Sequence, residues 1–464
     1  MITGKNIYMI GIKGVGMTSL AIVLHRMANK VSGSDVEKRF ITDEVLEKYG
    51  IEVHQGFDSS HISSNIDLII ISGVFANDKN VEFAKLKNGN IPIMTHAEAL
   101  GMIMDDFTTR ISVCGSHGKT TTSAMLATIF SESGQKGAHQ IGVPHFSDQD
   151  GGAYNGTDYF IAEADEYANK PNIDNTPRFT FQHPTILVCT NVDFDHPDIY
   201  ASINEVQEAF KKFVTTTVEA GGNIVFCSDD LPTSKVIQGI SYDKIYSFGI
   251  SKNADLVISD INELPGKNSF KATFRGEFLG EIVLQTSGMH NILNAAAALL
   301  ASYLAKIDIK TITEGLLKFA GSARRYQRIF QLNDTYVYDD YAHHPKEISA
   351  VIDATRHAFP EHRIIIIFQP HTFSRSNALG SEFQIALQKA DVAFCLEVFS
   401  SERETNKTLA DAHLGTLFTK DEALLSLSKE VLEKTVIITM GAGDVYSMHP
   451  SIIKCIQNYY STHA

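Results

Sequence analysis

Arg110-Ile111-Ser112-Val113-Cys114-Gly115-Ser116-His117-Gly118-Lys119-Thr120-Thr121-Thr122-Ser123-Ala124-Met125-Leu126-Ala127 is the stretch whose reading decides the fold. Ile111 to Cys114 is a short apolar, partly β-branched run, which predicts a buried strand. After Lys119, the residues Met125, Leu126 and Ile129 recur at helical spacing and Gly134 supplies a stop, which predicts a helix. The turn between them holds two glycines, a lysine and hydroxyl residues. Such a turn holds a triphosphate: backbone N–H groups and the helix N-terminus meet the anion, Lys119 neutralises charge, and the Thr120 hydroxyl can reach Mg²⁺. Position 113 is Val where the full Walker pattern has Gly, so this is a shortened Gly-x-x-Gly-Lys-Thr loop. The alternative is a Gly-rich turn with a solvated lysine; strand and helix on either side favour an ATP site.

Working outward, a chain of 464 residues exceeds one ordinary core, so about two to four domains are expected. An apolar share of 44% and a charged share of 20% describe a globular protein. The net charge of −14 argues against general nucleic-acid or anionic-membrane binding, so an anionic substrate needs local basic groups and metal. Cys114, Cys189, Cys227, Cys395 and Cys455 show no paired spacing and read as buried thiols in a reducing cytoplasm. No segment approaches the length of about 18 apolar residues that a membrane helix needs.

Asn6 to Ile10 predicts a first strand, and Gly11-Ile12-Lys13-Gly14-Val15-Gly16-Met17 opens a helix running through Met27. A second strand then ends at Asp35, where a ribose hydroxyl partner would lie in a dinucleotide fold. The glycine spacing departs from the NAD fingerprint and leaves three readings: a nucleotide diphosphate, NAD or a ligand-free tight turn. Apolar runs at 67–72 and 91–95 add parallel strands. In the middle, the strand from Tyr159 ends in Glu163, Asp165 and Glu166, a usual placement for metal-holding acids beside a phosphate loop. Thr185–Thr190 empties into Asn191, Asp193, Asp195 and His196, where His196 is a candidate metal ligand or phosphate contact. Residues 256–284 alternate like β-hairpins. The helix after Gly288 begins with His290, Asn291 and Asn294, which either read an adenine edge or cap the helix. In the C-terminal third, Arg324 and Arg325 mark a boundary. Strands ending near Asp339-Asp340-Tyr341, Phe368 and Met440 turn His343, His344, His371 and Arg375 towards one cleft.

The segments 11–17, 115–121, 163–166, 195–196, 290–294, 324–325, 339–345 and 368–375 stand in an order that resembles the Mur ligase family over essentially the whole chain. The resemblance implies an α/β protein of three domains. These are an N-terminal Rossmann-like UDP-binding domain (1–107), a central P-loop ATPase with a parallel sheet (108–322), and a C-terminal Rossmann-like amino-acid-binding domain (323–464). It implies Gly14, Val15, Gly16, Met17 and Ser72 along the UDP moiety of UDP-N-acetylmuramic acid. It implies ATP on Gly115, Ser116, His117, Gly118, Lys119, Thr120 and Thr121, with Thr120, Glu163 and His196 around Mg²⁺. His290, Asn291 and Asn294 resemble the adenine side, Arg325 the γ-phosphate clamp, and Asp340 a further nucleotide-side residue. Tyr341, His371 and Arg375 resemble an L-alanine pocket, the guanidinium suiting a carboxylate. Lys119, Glu163, His196 and His344 are the implied catalytic set, with the proton and metal roles of His196 and His344 not separated.

The implied reaction converts a lactyl carboxylate to an acyl phosphate and then to an amide with alanine. Asp165-Glu166-Tyr167 and Pro177-Arg178-Phe179 instead resemble the branch of the family that recycles a preformed murein tripeptide. Gly14-Val15-Gly16-Met17 and the residues from Phe368 to Arg375 favour the alanine branch. Lys211 falls near a lysine that is carbamylated in sister enzymes, and a surface lysine is the expectation here. A cytoplasmic monomer or weak homodimer, binding neither nucleic acid nor membrane, completes the reading. A nicotinamide dehydrogenase and a non-catalytic nucleotide switch are the competing functions.

Overall fold

The computed structural model describes residues 2–87, 89–264, 267–400, 408–409 and 414–462. Among them, the three main sheets carry five, ten and six strands and follow one another along the chain. The first sheet is parallel throughout, in the order Glu52–Gln55, Lys30–Asp35, Asn6–Ile10, Leu68–Ile71, Ile93–Thr95. Its central strands Asn6–Ile10 and Leu68–Ile71 are apolar; the helices Val15–Arg26 and His96–Met104 cover one face and Val81–Leu86 the other, so both faces are buried there as a parallel sheet requires. The order reverses between Asn6–Ile10 and Leu68–Ile71, which opens a crevice at the strand C-termini where Gly11–Gly16 and Ser72 lie.

The second sheet is mixed. Ile245–Gly249, Asn223–Cys227, Ile186–Cys189, Thr109–Cys114 and Tyr159–Glu163 run parallel through its centre. Leu256–Leu264, Lys267–Phe274 and Glu277–Leu284 extend one flank as antiparallel hairpins, and Gly137–Phe146 with Gln149–Tyr154 extends the other. The hairpin 137–154 is not marked by any signal read in the sequence: His139, Gln140 and four glycines interrupt its alternation. A small two-stranded hairpin, Ala168–Lys170 with Asp174–Pro177, stands apart from this sheet.

The third sheet begins with the antiparallel pair Gln327–Leu332 and Thr335–Asp340. It continues parallel through Thr435–Met440, Arg363–Phe368, Val392–Leu396 and Leu417–Phe418. The domains are packed against one another. Phe160 and Ala162 of the central sheet belong to the apolar core of the N-terminal domain, beside Leu20, Leu100 and Phe107. Phe194, past the end of the central strand Ile186–Cys189, packs on the C-terminal core. All five cysteines are free thiols, with Cys455 half-buried and the others buried. No helix among the described residues is long and apolar enough to cross a membrane.

Candidate active site

The strand Thr109–Cys114 delivers Gly115 to the top of the central sheet, and the helix Lys119–Glu132 leaves from Gly118. Both glycines are obligatory. Gly115 has φ +141°, and a Cβ there would come 2.0 Å from Thr190 Oγ1; Gly118 has φ +83°, and its Cβ would come 2.4 Å from Asn294 Oδ1. The loop between them is tied to the neighbouring strand end. Thr190 Oγ1 and Asn191 Nδ2 donate to the His117 carbonyl at 2.6 and 2.9 Å, and the His117 N–H donates to Asn191 Oδ1 at 2.8 Å. Ser116 Oγ exchanges hydrogen bonds with the Asp193 backbone. A rigid turn at a helix N-terminus, its carbonyls tied to side chains, leaves N–H groups to face an anion. Thr121 lies half-exposed on the first turn of that helix.

Lys119 Nζ donates to the Gly115 and Ser116 carbonyls and pairs with Glu166 Oε2 at 2.9 Å. Burial alone would lower its pKa, but Glu166, Asp165 and Glu163 outweigh that and hold the ammonium charged. Thr120 Oγ1 donates to Glu163 Oε2 at 3.0 Å, and the Gly142 N–H donates to Glu163 Oε1 at 2.5 Å. Donor atoms of Asp165, Glu166 and His196 lie within 4.8 Å of one another. Burial pushes the Glu166 carboxyl up to about 7 against the pull of Lys119, and burial raises Glu163 as well. Burial lowers His196 to about 4, with Arg375 acting in the same sense against Asp195, so its imidazole is neutral with a lone pair to offer. His196 holds φ +56°, a strained conformation for a side-chain-bearing residue, and its N–H donates to Asp195 Oδ1 at 2.7 Å. Hard carboxylate and hydroxyl oxygens with one neutral imidazole suit Mg²⁺, so the residues present fit that ion.

The C-terminal domain reaches this corner at four points. Arg325 Nη2 approaches Thr120 Oγ1 at 3.5 Å. His117 bridges Glu347 at 3.1 Å and Asp193 at 3.4 Å, while Lys346 pairs with Asp193 at 2.7 Å. Arg375 binds Asp195 through Nε at 2.9 Å and Nη2 at 2.7 Å, with both side chains buried. His344 Nε2 meets the Phe194 carbonyl at 3.3 Å, and its Nδ1 accepts from the Lys346 N–H at 3.4 Å. Tyr341 lies under the guanidinium groups of both Arg324 and Arg325, and His371 stacks on Phe399. Arg324 differs from its neighbour: it binds Asp339 and the Gly441 and Gly443 carbonyls inside its own domain. Asp340 accepts from the Tyr326 and Ala342 N–H groups, and burial raises its carboxyl to about 6.

At the start of the helix Met289–Leu304, Asn294 accepts from Thr122 Oγ1 at 3.3 Å and lies against Gly118. Asn291 does not cap that helix. Gly288 occupies the cap, and Asn291 Nδ2 donates back to the Ser287 carbonyl at 2.7 Å. Burial lowers His290 to about 4, helped by Arg325. Asp35 lines the interdomain cavity, and its oxygens accept from the Lys13 and Val36 N–H groups. Lys211 is half-buried on the helix Ile203–Glu219.

One cavity of about 730 Å³ joins the three domains. Gly14, Val15, Gly16, Met17 and Ser72 line it from the first domain; Gly142, Asn169 and Arg178 from the second; and Arg325, Tyr341 and His371 from the third. Gly142 and Arg325 carry the cavity wall to Glu163 and Thr120. The structure thus places the first-domain glycine turn on the cavity and the phosphate loop and acidic corner behind its wall, in contact through Gly142, Arg178 and Arg325. Arg375 and His344 lie at the seam between the second and third domains. Reading from sequence did not pair Glu166 with Lys119 or Asn191 with His117, nor single out Glu347, because each acts through a contact formed only in the folded chain. Glu347 had one local signal, its place three residues after His344 at a helix start, where it completes a capping box.

Three family models match in succession: the Mur ligase family catalytic domain over residues 6–108, the Mur ligase middle domain over 113–302, and the Mur ligase glutamate ligase domain over 324–443. The chain is 35% identical to the UDP-N-acetylmuramate–L-alanine ligase of Streptococcus suis, over 98% of each chain. It is 34% identical to that of Ligilactobacillus salivarius, over 94% of each. Among solved structures, it is similar to the UDP-N-acetylmuramate-alanine ligase of Thermotoga maritima, with a TM-score of 0.77 and 26% identity, covering 99% of this chain and 100% of that one. A murein peptide ligase from Psychrobacter arcticus shares the fold at a TM-score of 0.75 and 22% identity, covering 98% of this chain and 99% of the other.

Proposed function

The chain belongs to the Mur ligase family, and from that premise we propose that it joins L-alanine to the lactyl carboxylate of UDP-N-acetylmuramic acid in an ATP-dependent ligation. The observation that carries the reading is the cavity shared by all three domains, lined by the nucleotide-type glycine turn and by Gly142 and Arg325, which touch Glu163 and Thr120. The peptide-recycling alternative is weaker: the relatives at 34–35% identity are alanine ligases, and the likeness to a murein peptide ligase is one of fold.

In this reading the sugar nucleotide lies along Gly14–Met17 and Ser72, and its carboxylate points into the phosphate-loop corner. ATP occupies 115–121, with Asn294, Asn291 and His290 on its adenine side and Asp340 holding the turn behind Arg325. Carboxylate attack on the γ-phosphoryl group brings two anions together, so catalysis is mainly charge stabilisation by Lys119 and Arg325 and positioning by the loop. Thr120 and Glu163 would offer Mg²⁺ their oxygens, with the Asp165, Glu166 and neutral His196 cluster as further donors, and when bound it would supply charge neutralisation at the phosphates. The alanine amine then attacks the acyl phosphate carbonyl and expels phosphate. Arg375 would take the alanine carboxylate, beside Tyr341 and His371. Both His344 nitrogens are engaged at the domain seam, so its role is to position the docked domain. Five free thiols and the need for ATP fit a cytoplasmic setting, and nothing in the cavity needs a second copy of the chain.

Phosphate release from ATP tests this directly. Release should require UDP-N-acetylmuramic acid and L-alanine together; equal release with either left out, or with a murein tripeptide preferred to alanine, contradicts the assignment.

A further inference from the structure

The hairpin Ala168–Lys170 with Asp174–Pro177 carries no residue used in the chemistry above, yet Asn169 forms part of the cavity wall. Asn169 is 1% exposed. Its Nδ2 donates to Asp174 Oδ2 at 3.1 Å, and a carboxylate offers only acceptors there, so the amide cannot be turned end for end. Oδ1 therefore faces away from Asp174, and it has no hydrogen-bond partner among the described residues. A buried acceptor left without a donor is costly, and folded chains keep few of them unless something else completes the bond.

The place of this orphan along the cavity is fixed by its neighbours. A Cβ on Gly73 would stand 1.8 Å from the Asn169 carbonyl, so the hairpin presses on the turn that follows Ser72, at the nucleotide end. Arg178, just past the second strand of the hairpin, binds the Ala168 carbonyl at 3.1 Å and Asp165 Oδ2 at 2.9 Å, which ties the hairpin to the acidic corner. Asn169 thus lies between the turn that would hold the diphosphate and the corner that would receive the carboxylate. A sugar linking those two groups must pass it.

We propose that Asn169 Oδ1 is a specificity-determining acceptor for a neutral donor on the sugar ring of the nucleotide substrate, either the acetamido N–H or a ring hydroxyl. The proposal rests on the reading of UDP-N-acetylmuramic acid as substrate. Asp174 and the Arg178–Asp165 pair leave no unbalanced cation beside the amide, so a neutral donor suits the position. A site that holds such an acceptor rejects a substrate lacking the donor, because the acceptor is then left buried and unpaired.

The test compares the wild type with Asn169→Ala on four ligands: UDP, UDP-N-acetylmuramic acid, its 2-acetoxy analogue without the N–H, and its 4-deoxy analogue. The variant should bind UDP and ATP as the wild type does but lose on the order of ten- to a hundred-fold in affinity for UDP-N-acetylmuramic acid. On the wild type, one analogue should suffer a similar loss, and on the variant that loss should vanish; which analogue it is identifies the donor. If neither analogue is discriminated by the wild type, or if Asn169→Ala weakens UDP by the same factor as the full substrate, the proposal is overturned. If the wild type binds UDP but not UDP-N-acetylmuramic acid, the substrate reading itself fails and takes the proposal with it.

Discussion

Two buried cation–carboxylate pairs invite comparison. Lys119 and Glu166 meet inside the central domain, 47 residues apart, where a loop and a strand end of one sheet converge. Arg375 and Asp195 meet across a domain boundary, 180 residues apart. The carboxylates of both are buried, with Lys119 15% and Arg375 5% exposed at the side chain, and in both the partner carboxylate is what makes burying the cation tolerable. They differ in what must be assembled first. The Lys119–Glu166 pair is complete as soon as the central sheet forms, whereas Arg325 reaches Thr120 from the third domain. The Arg375 pair exists only when the third domain is docked, and a substrate carboxylate that took the Nε–Nη2 edge of Arg375 would replace Asp195 there. The Lys119 half of the proposed phosphate site is thus built in advance, and the proposed amino-acid site is built by docking.

The largest effect should come from the pre-built half. Lys119→Ala should lower kcat for phosphate release about 10²–10³-fold, the scale of losing one charge-stabilising group aimed at the transition state. A loss confined to KM for alanine would break the distinction between the two pairs. Next, Arg375→Lys keeps the charge but loses the forked geometry, and should raise KM for alanine about 10–100-fold while leaving KM for ATP unchanged. Initial-rate measurements on both substrates decide it, and an equal rise for ATP would show that the two sites are assembled together.

The half that could be read from the sequence was the local one. Gly115 to Thr121 announces a phosphate loop because its strand, turn and helix are contiguous, and Glu163 announces itself as an acid at a strand end. The docked half was invisible in that sense. His117 and Glu347 stand 230 residues apart, and nothing in the residue pattern pairs them. The same limit hid Asp195 as the partner of Arg375, and the hairpin at Asn169, whose polar sequence carries no alternation.

The interdomain imidazole sharpens the comparison through pH. Burial opposes the charge on His117, but Glu347 and Asp193 raise its pKa to about 9, above the ordinary value of 6.5. A raised histidine stabilises the folded, docked state fully below about pH 6.5, and that contribution is lost as pH rises through about 9. The difference amounts to about 3 kcal/mol at most. Thermal unfolding of the wild type should lose stability across that window, and Glu347→Gln should flatten the slope; identical slopes would deny the contact a role in docking. The smallest effect belongs to Lys38, which pairs with Asp444 at 2.9 Å between the first and third domains but is half exposed. Lys38→Ala should cost about 0–1 kcal/mol in chemical denaturation, so a larger loss would move the weight of docking away from the His117 and Arg375 contacts.

The central claim is that the sugar acid and the γ-phosphate of ATP meet in one cleft. Turnover of UDP-N-acetylmuramic acid labelled with ¹⁸O in its lactyl carboxylate, with mass analysis of the released phosphate, tests it most directly. Transfer of one labelled oxygen into phosphate for each amide formed is the predicted result, and phosphate free of label alongside amide formation would contradict it.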